Sequence, residues 1–402
     1  MGGQRRRTLA AIFLFWFSMY TYPSFLSGYV QNVLGAGSVL VGMIVGSYGF
    51  VQMLLRIPLG ICSDRVKKRR VFVQAGFLAT ILSGAGLSLV ALAAVRGGIS
   101  PVPVLFLRGL SGGGAAAWVA FSVLAADQAP PDKTGEAMSR ISFFQNMATV
   151  AAMPLGSWIM TRFGAAWAFA LAAAAGAAGL ILISGVEDLP PRGEAMTVRE
   201  ICTLAKNRKL IAGTLLATLF QLVTWATVQG FTQNWALEYV SGFDGGKLGM
   251  LAVSYMLPNA LVCRISGGYL SKKLGPRGVV CLGFGGVAAA CCLYPGARTA
   301  AALLGVQALF GAGMGMILPL SMALAVEDVP ASGKGAAMGF YQAVYGAGMF
   351  LGPVLAGAVI EAFSGKSLLA GYRANFYVSA ALAAAGVLLA AALIREKKIG
   401  RK

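Results

Sequence analysis

The chain has 402 residues, of which 57% are apolar and 12% charged, with 54 glycines. Ordinary globular chains are about 45–50% apolar and about 25% charged, so this composition excludes a soluble enzyme, a disordered scaffold and a secreted disulfide framework, and makes lipid the main solvent. The net charge of +19 reads as loop charge that sets orientation and meets an anionic lipid bilayer, not as a nucleic-acid surface. There is no histidine, which removes the commonest metal ligand and general base. The six cysteines, Cys62, Cys202, Cys263, Cys281, Cys291 and Cys292, form no CxxC or Cys/His array and read as small buried hydrophobes. No metal and no cofactor are expected.

Arg5, Arg6 and Arg7 precede an apolar run that starts at Thr8 and continues through Trp16, Tyr20, Tyr22 and Pro23. No small-residue cleavage site follows, so the run reads as a retained first span rather than a signal. Apolar stretches then recur to the end: the expected spans are 8–30, 38–61, 71–95, 101–126, 139–161, 165–185, 210–233, 248–270, 278–296, 299–325, 336–360 and 373–394. In hydrocarbon each backbone polar group must be satisfied within its segment, so these are helices. The fold class is an all-α membrane protein of twelve transmembrane helices. Arg65, Lys67, Lys68, Arg69 and Arg70 follow span two, and Lys272, Lys273 and Arg277 follow span eight. Arg192, Arg199, Lys206, Arg208 and Lys209 fill the central loop, and both ends are basic. The opposite side holds Arg96, Arg162, Lys247, Arg298, Lys366 and Arg373. The asymmetry places both termini in the cytoplasm, in an inner membrane. The polar stretch 187–209, with Pro190 and Pro191, divides a bundle at 1–186 from one at 210–402 and reads as their linker.

The halves repeat one another. Arg56 to Arg65 aligns with Arg264 to Lys273 at an offset of 208, and Arg69 falls on Arg277 at the same offset. Asp127, Gly135 and Met138 align with Glu327, Gly335 and Met338 at 200, and Phe144-Gln145 with Tyr341-Gln342 at 197. Independent apolar segments do not keep polar positions in one order, so two six-helix bundles related by an axis along the membrane normal are expected.

Gly60 to Arg70, GICSDRVKKRR, resembles the cytoplasmic-loop signature of the major facilitator superfamily, with Gly60, Asp64, Arg65, Arg69 and Arg70 in place and Lys67 where a glycine is usual. The second copy, GYLSKKLGPRG, keeps Gly268 and Gly275 and has Lys272 in place of the acid. Leu107 to Gly114 is similar to the family's R-x-x-Q-G-x-G motif with Ser111 for the glutamine, and Gly352-Pro353 with Gly357 is like its antiporter pattern, of which span five keeps Pro154 and Gly156. The resemblance covers the whole chain and lies nearest bacterial drug or sugar efflux members. It implies that Asp64 faces the N-terminus of span eleven near Gly335, where free N–H groups and the helix dipole favour an anion, and that Arg65 or Arg69 pairs with Asp127. Gly60, Asp64, Arg65, Arg69, Asp127, Gly268 and Gly335 are therefore the expected gating residues.

Arg56 and Arg264 each stand two turns before the loop, about 12 Å deep at 1.5 Å per residue, where a charge is costly and a functional candidate. The pair resembles the anion clamp of nitrate/nitrite carriers of that superfamily; in efflux members an arginine here bonds carbonyls or reaches for the interface. Arg108 is a third intramembrane cation, and its counterpart Gln307 is neutral. Trp16 and Tyr20 on span one match Gln221 and Trp225 on span seven at an offset of 205. With Gln145, Tyr341, Gln342 and Tyr345, these aromatics and amides suit a semi-polar organic solute.

No Asp or Glu lies in the middle of any expected span, so a cationic drug is disfavoured against a neutral or anionic solute. Proton coupling stays open through Asp127, Glu327 or Asp328. The reading is a secondary transporter, not an enzyme, that works by alternating access as a monomer and exports a small drug-like or sugar-like solute. The alternatives are an anion or carboxylate carrier built on Arg56 and Arg264, and a non-transporting membrane sensor. The latch at Asp64 has a direct test: Asp64→Asn lowers transport while membrane insertion stays normal, and undiminished transport removes the latch.

Overall fold

The computed structural model describes residues 2–66, 68–128, 134–188, 206–329, 333–365 and 367–394. It is almost wholly helical: α1 Gly2–Tyr20, α2 Pro23–Asn32, α3 Ser38–Val66, α4 Arg69–Ala94, α5 Val102–Ala116, α6 Trp118–Asp127, α7 Thr134–Phe163, α8 Ala165–Ser184, α9 Arg208–Ala226, α10 Thr232–Tyr239, α11 Leu248–Ile265, α12 Ser271–Leu293, α13 Ala300–Val326, α14 Lys334–Phe363 and α15 Leu368–Leu393. Ten helical stretches of the described residues have the length and hydropathy of a membrane span. One of them, Gly245–Gly296, runs for 52 residues and turns at Gly275, whose φ of 72° only glycine adopts readily; it holds two crossings. Thr134–Phe163, at 30 residues, is long enough to be a further one although its first half is polar. Counted so, the described residues offer twelve crossings.

Local chemistry shapes individual spans. The first is two helices: the chain leaves α1 after Tyr20, and Pro23 opens α2 where a missing N–H costs nothing. The fourth is divided at Ala117 into α5 and α6. The seventh contains a π-helical turn, Thr227–Phe231, between α9 and α10, and a second π turn, Ser266–Leu270, joins α11 to α12. Such turns shift the register of every side chain beyond them and recur at functional sites.

The chain folds as two compact units. The first comprises Met1–Ala36, Met43–Thr197 and Asp244–Gly249; the second comprises Gly37–Gly42, Val198–Phe243 and Met250–Lys402. The same pairings build both. In the first unit α4 packs on α8 and α5, and α1 on α7 and α8; in the second α12 packs on α15 and α13, and α9 on α14 and α15. The cores repeat as well. Phe15, Phe77 and Phe169 are fully buried in the first unit, and Phe220, Phe284 and Phe376 in the second. Phe15 meets Phe77 edge-on at 5.0 Å between centroids, and Phe220 meets Phe284 edge-on at 6.4 Å. Leu82, Leu89, Phe106, Ile181 and Leu388 are exposed, as side chains that face hydrocarbon should be.

One correction concerns residues expected to be buried. Among the described cysteines only Cys291 is; Cys62, Cys263 and Cys292 are exposed and Cys281 is partly so, all of them free. A small apolar side chain is as well solvated by acyl chains as by a core, so lipid exposure exacts no penalty. Cys202 and residues 189–205 of the expected linker lie outside the described residues.

Among the close helix crossings made at glycines, two bring α5 against α3 and α13 against α11. A Cβ at Gly112 would strike the backbone of Tyr48, and one at Gly311 would strike the backbone of Tyr255. Gly112→Val and Gly311→Val are each expected to cost about 1–3 kcal/mol, the usual range for overpacking, and to lower the midpoint of detergent-solubilised thermal unfolding by several degrees. Gly305→Ala, where nothing lies within 4 Å, leaves the midpoint unchanged. Equal midpoints for all three variants refute the close-approach account.

Candidate functional site

In the first unit α3 presents Tyr48, Gln52 and Arg56 on one face, spaced i, i+4, i+8. All three are buried, and Arg56 keeps only 4% of its surface exposed. The approach of Gly112 to Tyr48 draws α5 against this face and places Arg108, 3% exposed, beside it. The Arg108 guanidinium carbon stands 4.3 Å from the Tyr48 ring centroid and 5.3 Å from that of Tyr22, a cation–π arrangement. Its Nη1 donates to Tyr22 Oη and to Ser111 Oγ, each at 3.3 Å. Ser111 Oγ donates in turn to the Arg108 carbonyl at 2.7 Å. Tyr48 lies in the field of Arg56, Arg108, Tyr20 and Tyr22 together. Several polar atoms here are buried without a partner: Nε of Arg56, Nε of Arg108 and Oε1 of Gln52.

The aromatic residues of span one adjoin this cluster. Trp16 is buried, with its Nε1 unpartnered. Its ring lies 5.6 Å from Tyr20 and 5.0 Å from Trp118. Tyr20 is half-buried.

The second unit uses neutral groups in the corresponding places. The π turn carries Gln229, whose Nε2 donates to Tyr255 Oη at 2.8 Å. Gln307 is fully buried and accepts from Tyr294 Oη at 2.7 Å; its Nε2 is unpartnered. Trp225 is buried and Gln221 half-buried. Tyr341 packs in a core cluster with Leu210, Ala217 and Ala325, with Tyr345 against it in an edge contact at 5.4 Å. Gln145 and Gln342 are half-buried on α7 and α14.

Arg56 and Arg264 are equivalent in sequence but not in surroundings: Arg264 is exposed. Arg56 instead shares its unit's interior with Arg108. Sequence reasoning missed Tyr48, Gln52 and Gln229. The i, i+4, i+8 spacing through Tyr48, Gln52 and Arg56 was a readable signal for the first two. Gln229 had none, because a π turn decides its direction.

At the helix ends Arg69, not Arg65, pairs with Asp127. Arg65 is exposed. Gly60 has ordinary packing room toward Val119, and Gly268 has open space around it. The Asp64 side chain and the surroundings of Gly335 lie outside what the structure describes. In the second unit Lys209 Nζ bridges Glu327 Oε1 at 3.0 Å and Asp328 Oδ1 at 2.8 Å. The two ion sites differ in burial: Arg69 and Asp127 are 7% and 13% exposed, whereas Glu327 and Asp328 are 41% and 52% exposed. Asp127→Ala removes the acid paired with a nearly buried cation and is expected to destabilise by up to about 3 kcal/mol, whereas Lys209→Ala costs less than about 1 kcal/mol because its partners are solvated. Thermal unfolding of both variants beside the wild type checks this; a larger loss in Lys209→Ala overturns the ranking.

Comparison with known proteins adds independent findings. The profile described as Major Facilitator Superfamily matches residues 8–243 and again 214–402. Inner membrane transport protein YajR of Escherichia coli (strain K12) is 26% identical over 98% of this chain and 84% of its own length. Multi-drug resistance efflux pump PmrA of Streptococcus pneumoniae serotype 4 is 26% identical over 88% of this chain and 87% of its own length. Among solved structures, the nucleoside transporter NupG superposes with a TM-score of 0.76 at 13% identity, over 98% of this chain and 100% of that one. An inward-facing bacterial homolog of the human lysosomal transporter Spinster gives 0.75 at 14% identity, over 97% and 96%. The overlapping profile matches account for both halves and for the loop motif at Gly60–Arg70, and the chain belongs to the major facilitator superfamily.

Proposed function

We propose that this protein is a secondary active transporter that moves a small organic solute across the cytoplasmic membrane by alternating access, in the direction of export, with drug-like or sugar-like compounds as its class. One observation carries the reading: each unit gathers aromatic rings and hydrogen-bonding side chains inside membrane-length helices, in the first the buried Trp16, Tyr48, Gln52 and Arg108, in the second the buried Trp225 and Tyr255 with the half-buried Gln229. A purely structural bundle in lipid can use such groups where they pair across helices, but gains nothing from the ones left unpaired, such as Nε1 of Trp16, Oε1 of Gln52 and Nε of Arg108. They suit a solute that is partly aromatic and partly polar. The names of relatives agree in kind: PmrA is called a multi-drug resistance efflux pump, and NorA of Staphylococcus aureus, 24% identical over 39% of this chain and 38% of its own, a quinolone resistance protein.

The remainder of the reading rests on charge. The basic loops support both termini in the cytoplasm; the reading further takes 187–209 as a linker and the protein as a monomer without cofactor. If protons drive export, the carboxylates that would carry them are Asp127, Glu327 and Asp328 at the helix ends, and binding a proton there requires their release from Arg69 or Lys209. An anion-carrying clamp of Arg56 with Arg264 has no support from the exposed setting of Arg264.

The experiment is transport in proteoliposomes of purified protein, with chloramphenicol, lactose and ethidium as probes, with and without an imposed pH gradient. Chloramphenicol or lactose flux is expected to exceed that of protein-free liposomes at least fivefold, and to fall at least fivefold in Trp16→Ala and in Gln229→Ala at unchanged thermal stability. Ethidium is expected to move least. Flux no greater than in empty liposomes for every probe, or ethidium moving best, overturns the reading.

A further inference from the structure

The first unit buries two guanidinium groups, on α3 and α5, and the described acids of that unit sit only at helix ends: Asp127 on Arg69, Asp188 on the backbone of Arg70, and Glu187 and Asp244 exposed. A cation at such depth ordinarily finds a carboxylate, bonds a carbonyl, or extends its head to water. Arg108 has two hydroxyl acceptors and an aromatic face, which answer part of its fork and leave Nε–H unmet. Arg56 has only 4% of its surface exposed, and its Nε–H also lacks an acceptor. Tyr48 lies under the Arg108 guanidinium, and Gln52 stands on the same face one turn from each of Tyr48 and Arg56. The second unit has nothing of this kind in the equivalent places: Arg264 is exposed, and Gln307 is neutral and bonded to Tyr294.

Two buried cations with unused donors, and with no counter-charge against them among the described side chains, are the electrostatic complement of an anion. Span one, which reaches Arg108 through Tyr22, also carries Trp16 and Tyr20, whose rings meet each other and Trp118 in one aromatic surface. We propose that Arg56 and Arg108, with Tyr48 and Gln52, form a subsite for the carboxylate or phosphate group of an organic solute whose aromatic part rests against Trp16 and Tyr20. The word solute rests on the transporter reading above, but the binding claim does not, and the two fail separately.

The test is equilibrium binding to the purified full chain at fixed ionic strength, read by thermal shift and by tryptophan fluorescence. The probes are benzoate, phenyl phosphate and benzamide, a neutral isostere of benzoate. Benzoate or phenyl phosphate is expected to bind at least tenfold more tightly than benzamide. Arg56→Gln and Arg108→Gln are each expected to weaken the anion at least tenfold and to leave benzamide unchanged, whereas Arg264→Gln leaves all three unchanged. Arg56→Lys and Arg108→Lys keep the charge and serve if the glutamine variants do not fold; they are expected to retain the anion preference with weakened affinity. No anion preference in the wild type overturns the proposal, as does a loss in Arg264→Gln equal to that in Arg56→Gln, or unaltered anion binding in both the glutamine and lysine variants. Flux of neutral solutes without anion binding refutes this subsite and leaves the transporter reading standing; arginine-dependent anion binding without flux of any probe does the reverse.

Discussion

Hydrocarbon offers no hydrogen-bond partner, so each crossing must close its own backbone bonds, and whatever polar side chains it carries must be met by a neighbouring helix or by a ligand. Association between such helices depends on close packing, because lipid is as apolar as the side chains it replaces. The crossings of Gly112 on Tyr48 and Gly311 on Tyr255 meet both demands at once. With no Cβ in the way, the backbones approach, and the tyrosine reaches its polar partner: Arg108 beside Tyr48 in the first unit, Gln229 bonded to Tyr255 in the second. The candidate clusters exist because these two helix pairs are close.

The units share a frame and differ in charge. Phe15, Phe77 and Phe169 recur as Phe220, Phe284 and Phe376, and the helix pairings recur with them. Over that frame Arg108 is replaced by Gln307, and Arg56 in an interior is replaced by Arg264 on a surface. A duplicated scaffold thus carries one cationic cluster and one neutral cluster. Membership of the major facilitator superfamily explains the frame. It does not choose a solute, since relatives of similar likeness are named for drugs and a structural neighbour for nucleosides. The frame leaves selectivity to the side chains that differ over it, Arg108 against Gln307 among them.

The helix ends show the same division between frame and charge. Asp127 and Glu327 are equivalent by sequence, yet the first is held by Arg69 from α4 and the second by Lys209 from α9. The loop arginine at position 69 closes the first unit's pair in a nearly buried setting, while the second unit's pair is solvated and shared with Asp328. Charges that stand at matching positions therefore carry unequal energies, because burial and not separation alone determines how strongly they act.

The sequence by itself determined the solvent, the helical class, the order of the spans, the repeat and the loop signature, because hydropathy and charge act along the chain and lipid forces each apolar run into a helix. It also named Arg56, Arg108 and Trp16, since a cation or a large amphipathic ring within an apolar run stands out without any partner in view. Only the tertiary structure decided which face each residue presents. The break before Pro23 splits span one, the π turns redirect Gln229 and the residues after Arg264, and Gly112 sets Arg108 over Tyr48. Equivalent arginines parted company for that reason: the direction of a side chain depends on the accumulated register of its helix and on the neighbour packed against it, neither of which is a property of the residues taken one at a time.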